Sequence, residues 1–384
     1  MSRISTIVGT TVKDSRGEET VLCTVTLASG STASASVPRG KSVGSHEAVS
    51  VPAEIAVSVI KTQIFPRLIG LDSGNQKEID TILCELGGEQ KKEIGGNTTL
   101  VVSIAVARAH AQEIGIPLWR YLRDSSHIDT FPSLFPRPFV NVINGGAHTG
   151  NTKLFQEYIV VPQEDSVDAC LSSAEHILKE VGKEIQTLYP ETPRGDEGGY
   201  ALQTQNPLEP FLLLQKHSGD NVFFALDAAA TDSIYTDEER TTLFVEMSNT
   251  FPLRFLEDPY GEESFSLFST LQEMLPNVVV VGDDLTTTNI TRIARAHAER
   301  SITGVIIKPN QIGTVSEALE AVRTARGYGW TVVASHRSGE TDDTFIADFA
   351  YGVGADGIKI GAPVQPERKV KYDRLRAIEK ELTP

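Results

Sequence analysis

Six short apolar runs in the second half of the chain lead to chemically capable residues. The run 223–226 stops at Asp227, 253–256 at Glu257, and 278–282 at Asp283. The run 304–307 stops at Lys308, 331–334 leads into Ser335-His336-Arg337, and 357–358 stops at Lys359. Three carboxylates gathered in one place repel each other, so they call for a counter-ion, and hard oxygen donors favour Mg²⁺. A lysine beside such a metal would have a depressed pKa, because two cations oppose its protonation, and would serve as a base near neutral pH. Lys308 and Lys359 both qualify. The plainer reading of either is a charge that neutralises the acids or meets a substrate anion. Arg337 offers a grip for phosphate or carboxylate. Glu157 and Glu197 are further carboxylates that donate protons if their pKa values are raised. Taken singly, each strand-end acid reads equally as the N-cap of a following helix, and His148 and His336 as ordinary histidines. Three acids in succession favour a site. A divalent metal, a lysine base and an opposed acid describe proton abstraction next to a carboxylate, through an ene-diolate. Loss of a β-hydroxyl from the other side would make the enzyme a dehydratase.

Such residues must be held on one face. The runs alternate with segments of roughly 10–15 residues at helical spacing, the pattern of buried parallel strands and helices in a (β/α) barrel. Polar residues at barrel-strand C-termini point into the active-site mouth. The runs 139–143 and 154–161 precede these six, a helix is expected near 165–188, and the glycine-flanked turn 195–199 presents Asp196 and Glu197. A charged helix near 366–382 closes the chain.

Upstream, residues 4–37 alternate apolar and polar, with Val21, Cys23, Val25 and Leu27 on one face, and predict a three-stranded antiparallel meander. The glycines and proline of 38–45 read as a flexible loop holding two cations, Arg39 and Lys41, and the hydroxyl of Ser42. It is either an anion-gripping lid or a solvated linker. Helices are expected over 46–63, 76–88 and 99–122, followed by a linker at 124–137. This gives an α+β N-terminal domain, residues 1–125, and a barrel domain, residues 138–384.

The net charge of −16 over 384 residues argues against nucleic acid or an anionic membrane as main partner. A small anionic substrate remains compatible, because local cations decide that. Cys23, Cys84 and Cys170 match no metal or redox spacing, and their odd number suits a reducing compartment. The first residues lack the apolar core of a signal peptide, and no run has the length of a membrane span.

The residues resemble the enolase (phosphopyruvate hydratase) family along almost the whole chain. The stretches that carry this are 14–17 (Asp-Ser-Arg-Gly), 141–148, Gln156-Glu157, 195–199, 225–227, Glu257-Asp258-Pro259, 282–286, 308–314, 335–341 and Lys359 with 361–363. The resemblance implies an α+β N-terminal domain followed by an enolase-type (β/α)8 TIM-like barrel whose first strands are partly antiparallel. It implies a lyase that dehydrates 2-phosphoglycerate to phosphoenolpyruvate. Asp227, Glu257 and Asp283 would hold one Mg²⁺, and Ser42 would help hold a second. Lys308 would take the C2 proton, while Glu197 assisted by Glu157 would help the hydroxyl leave. Lys359 would meet the substrate carboxylate, Arg337 and Ser338 the phosphate, and His148, Gln156 and His336 would line the pocket. Family members are usually cytoplasmic homodimers or larger rings. The family's lid reads Ser-Gly-Ala-Ser-Thr-Gly where this chain has Arg39-Gly40-Lys41-Ser42-Val43-Gly44. The added cations admit a second reading: a paralogue of secondary metabolism acting on a related phosphonate, such as a carboxyphosphonoenolpyruvate synthase.

Overall fold

The computed structural model describes residues 2–38, 44–128, 134–230 and 234–382. The N-terminal domain begins with the expected meander: β1 (Ile4–Lys13), β2 (Glu19–Leu27) and β3 (Thr32–Ser36), both pairings antiparallel. The alternating face of Val21, Cys23, Val25 and Leu27 is buried, which fixes the register because a slip of one residue would expose it. Helices cover that face, and two of them differ from the expectation. The first helix starts at Ala53, not near residue 46, with Pro52 at its N-cap; proline favours a helix start and restricts the residue before it. The predicted helix 99–122 is two helices, Gly96–Glu113 and Leu118–Ser126. The break falls at Gly115, which has φ +72°, and Pro117.

The second half forms β4 (Arg137–Asn144), β5 (Glu157–Pro162), β6 (Tyr200–Ala201), β7 (Val222–Asp227), β8 (Leu253–Glu257), β9 (Val279–Gly282), β10 (Gly304–Ile307), β11 (Thr331–Ser335) and β12 (Gly357–Lys359). The order around the barrel is β4, β5, β7, β8, β9, β10, β11, β12, and β12 pairs back onto β4 to close it; β6 is a short addition beside β4. β5 runs antiparallel to both β4 and β7, and the other barrel pairings are parallel. Gly145 permits the sharp return from β4 to β5: a Cβ there would lie 2.3 Å from Leu154 Cβ and 2.4 Å from Phe155 O.

Side chains alternate across the barrel wall. Phe139, Ile159, Val161, Ala225, Val281, Ile306 and Val333 form one compact cluster inside it. Glu157, Asp227, Asp283 and Lys308 lie two residues from Ile159, Ala225, Val281 and Ile306, so the period of two carries them to the same interior, one layer higher. The N-terminal domain packs on the side of the barrel next to this mouth. Arg108 makes a bidentate pair with Asp343, both bonds 2.6 Å, Ser15 N donates to Glu340 O at 2.7 Å, and Thr99 Oγ1 donates to Gly313 O at 2.7 Å.

Candidate active site

The mouth of the barrel is a small polar cleft lined by His148, Gln156, Glu157, Glu197, Asp227, Lys308, Ser335, His336, Arg337, Ser338 and Lys359. Because β5 is antiparallel, its first residue, Glu157, stands at the level where β7 and β8 end; Glu157 pairs in register with Asp227, and Asp227 with Glu257. The Lys359 ammonium donates to Asp227 Oδ2 at 2.7 Å and to both oxygens of Glu257 at 3.0 and 2.9 Å, and lies 3.3 Å from Glu157 Oε1. Gln156 Nε2 adds a 3.2 Å bond to Asp227 Oδ2. The Lys308 ammonium pairs with Asp283 Oδ2, and Asp283 Oδ1 accepts from Gln311 Nε2 at 2.9 Å.

These contacts set the protonation states. Burial raises Glu257 to about 8, helped by Asp227 and opposed by Lys359. Burial, then the charge of Glu197, holds Glu157 well above the carboxylate range. Glu197 is held low even though burial works the other way, because His336, His148 and Arg368 lie beside it. The two neighbouring acids are therefore pushed in opposite directions. Burial brings His336 down to about 4. Its Nδ1 accepts from Arg368 Nη1, so Nε2 carries the hydrogen and faces Glu197 Oε1 at 3.5 Å. Burial would lower Lys308 and Lys359, but the attraction of Asp283 for Lys308, and of Asp227, Glu157 and Glu257 for Lys359, holds both above the usual lysine range. The expected depression rests on the charge of a bound metal; the carboxylates by themselves act the other way.

The donor set fits a hard divalent cation. Asp227 and Glu257 turn three oxygens onto one positive charge, that of Lys359, within 3.0 Å, and Glu157 Oε2 is buried with no hydrogen-bond partner. The acids in the mouth outnumber the two ammoniums, and the charge of Asp227 adds to burial in raising Glu257. Two tighter groups of donors also occur: His148 with Glu157 and Glu197, and Asp258 with Asp283 and Asp284. In the second, Asp258 accepts the backbone N–H groups of Asp283 and Asp284 at 3.0 and 2.7 Å, so it braces the turn after β9.

Arg337 is buried, and its Nη1 donates to Glu47 Oε2 at 2.6 Å. Ser338 Oγ accepts from Arg16 Nη2 at 2.6 Å, and Arg16 Nε lies 3.6 Å from Asp196. The turn 195–199 is sharp, with Gly198 at φ +86° and a 2.8 Å bond from Gly195 N to Gly199 O. Asn144 Nδ2 contacts His148 Nδ1 at 3.3 Å. Arg39, Lys41 and Ser42, with Val43, lie outside the described residues. Sequence reasoning did not single out Glu47, Gln311, Arg368 or Asn141, whose Nδ2 donates to Glu197 Oε2 at 3.4 Å. Gln311 lay within the quoted stretch 308–314 and Asn141 within 141–148, but a neutral amide gives no charge signal. Glu47 and Arg368 meet the site only through the tertiary fold.

Among the described residues no helix is long and apolar enough to cross a membrane. Residues 4–122 match the family model described as "Enolase, N-terminal domain", and residues 132–384 match "Enolase, C-terminal TIM barrel domain". The enolase of Sulfurisphaera tokodaii is 37% identical over 402 residues, 98% of this chain and 95% of that one. Those of Metallosphaera sedula and Methanopyrus kandleri are each 38% identical, covering 98% and 100% of this chain and 96% of their own. With an acid-and-lysine mouth on a barrel of this topology, and likeness that runs nearly end to end, the chain belongs to the enolase family and is a carbon–oxygen lyase of the enolase type.

Proposed function

We propose that the protein dehydrates 2-phosphoglycerate to phosphoenolpyruvate in a Mg²⁺-dependent reaction. The observation that carries this reading is the placement of base and acid. Lys308 follows β10 and Glu157 begins β5, and these strands stand four steps apart whichever way one counts around the closed barrel. A proton taken on one face and a hydroxyl released on the other is what that placement serves.

Lys308 takes the C2 proton in its neutral form, which a cation held by Asp283 would favour by offsetting the carboxylate that raises the lysine. Glu197, assisted by Glu157, helps the hydroxyl leave, with His336 beside it. Arg337 and Ser338 hold the phosphate, while His148 and Gln156 line the pocket. Asp227, Glu257 and Asp283 hold one Mg²⁺ and Ser42 helps hold a second; when bound, the metal offsets negative charge gathering on the substrate carboxylate. Lys359, seated among the same acids, offsets their repulsion and meets that carboxylate.

The relatives' name, enolase, supports this reading over the phosphonate one, which the cations Arg39 and Lys41 had raised. The free thiols of Cys23, Cys84 and Cys170 agree with a cytoplasmic enzyme, and we propose a homodimer or higher homo-oligomer that binds a small phosphorylated substrate. The test is the ultraviolet absorbance of the enol-phosphate product, followed with 2-phosphoglycerate and with larger phosphonate analogues, with Mg²⁺ or with chelator. No turnover of 2-phosphoglycerate at saturating Mg²⁺ would reject the reading.

A further inference from the structure

Two side chains outside the roles just assigned connect the anion grip to the base. Gln311 is fully buried, three residues beyond Lys308. Its Nε2 donates to Asp283 Oδ1 at 2.9 Å and to Glu47 Oε1 at 3.4 Å. Its Oε1 accepts from Thr288 Oγ1 at 2.9 Å, and Thr288 Oγ1 in turn accepts from Lys308 N at 2.9 Å. Asp283 takes the Lys308 ammonium on its other oxygen. Lys308 is thus held at its backbone and at its tip by two partners of one amide. Glu47 extends the chain of contacts: its Oε2 accepts from Arg337, and its Oε1 also accepts from Gly44 N at 3.1 Å.

An amide suits this place. It gives hydrogens to two carboxylates and accepts one from a hydroxyl, which neither a carboxylate nor a hydrocarbon does. Thr288 has φ +55° and its neighbour Thr287 φ +45°, backbone that L residues rarely adopt, and the bonds to Gln311 and Lys308 hold it there.

We propose that Gln311 and Glu47 are positioning residues that link anion capture at Arg337 to the placement of Lys308. The meaning of Lys308 as a base rests on the dehydration reading, but the link itself does not. Glu47 both aims Arg337 and competes with an incoming anion for its charge. Gln311 tempers that competition by occupying the other oxygen of Glu47.

The experiment uses the full chain with Gln311→Met, Glu47→Gln and both together. Calorimetric titration with inorganic phosphate reads Arg337 and needs no turnover; kcat with 2-phosphoglycerate reads Lys308. Gln311→Met should weaken phosphate binding by about threefold or more, although residue 311 touches no anion-binding group, because the charge of Glu47 then falls undivided on Arg337. In the Glu47→Gln background the same change should leave phosphate binding within about twofold. In either background it should lower kcat about tenfold or more. The proposal is overturned if wild type and Gln311→Met bind phosphate equally, or if Gln311→Met weakens it by the same factor with and without Glu47. It is also overturned if wild type binds no phosphate. If Gln311→Met does not fold, Gln311→Leu, also neutral, replaces it with the same expected directions. A protein that binds phosphate as described but turns over no 2-phosphoglycerate keeps the link and loses the substrate assignment.

Discussion

Lys359 and Asp227 meet at 2.7 Å across the barrel mouth although two strands, β5 and β4, stand between theirs. Both are almost sealed from solvent. Removing the ammonium strands several buried carboxylates, and breaking such a pair from one side costs about 3–5 kcal/mol. Lys359→Met should therefore lose stability of that order by urea unfolding in chelator. Mg²⁺ should restore more of it in the variant than it adds to wild type. An equal effect of Mg²⁺ on both would mean that the ion and Lys359 do not share the acids.

The base and the acid can be separated by isotope exchange. Lys308→Ala should abolish both dehydration and exchange of the C2 proton of 2-phosphoglycerate in heavy water. Glu197→Gln should lose dehydration by about 10²- to 10⁴-fold, the usual weight of a general acid, and still exchange the C2 proton. Loss of exchange in Glu197→Gln with exchange kept in Lys308→Ala would invert the assignment.

Stability should also carry the signature of His336. Its pKa falls from the ordinary 6.5 to about 4 in the folded protein, so the unfolded chain binds the proton more readily. The stabilisation is complete above about pH 6.5 and drains away as pH falls toward 4. In urea unfolding, wild type should lose stability over that window more steeply than His336→Gln. Parallel pH profiles would show that the imidazole is not buried neutral.

Gly357 tests the packing under the site. A Cβ there would lie 2.3 Å from a ring carbon of Phe139, on the strand that closes the barrel against β12. Gly357→Ala should cost about 1–3 kcal/mol by thermal or urea unfolding, and Phe139→Leu in the same chain should recover part of it. An unchanged midpoint in Gly357→Ala would show that the ring moves aside freely.

The parity of the barrel strands made much of the site legible. Asp227, Asp283 and Lys308 each follow a short apolar run whose inward face is set by a period of two, so the sequence shows where they point. β5 was different. All six of its residues are buried, and a run buried along its whole length does not say which way it runs; the antiparallel direction came from the family resemblance. The helix starting at Ala53 and the break before Leu118 were written in Pro52 and in Gly115 with Pro117, but apolar spacing continued across both and masked them. Glu47 reaches Gln311 over 264 residues of sequence. No local pattern encodes such a contact, because it exists only once the N-terminal domain has docked.

That docking carries an evolutionary consequence. Arg16 and Glu47 enter the barrel mouth from the first domain and hold Ser338 and Arg337. The two halves are therefore not interchangeable modules. A barrel recombined onto a foreign partner would inherit the acids and lysines but lose the groups that aim its anion-binding side chains. Drift at residue 16 or 47 must then be answered in the barrel, so inheritance should keep the pieces together.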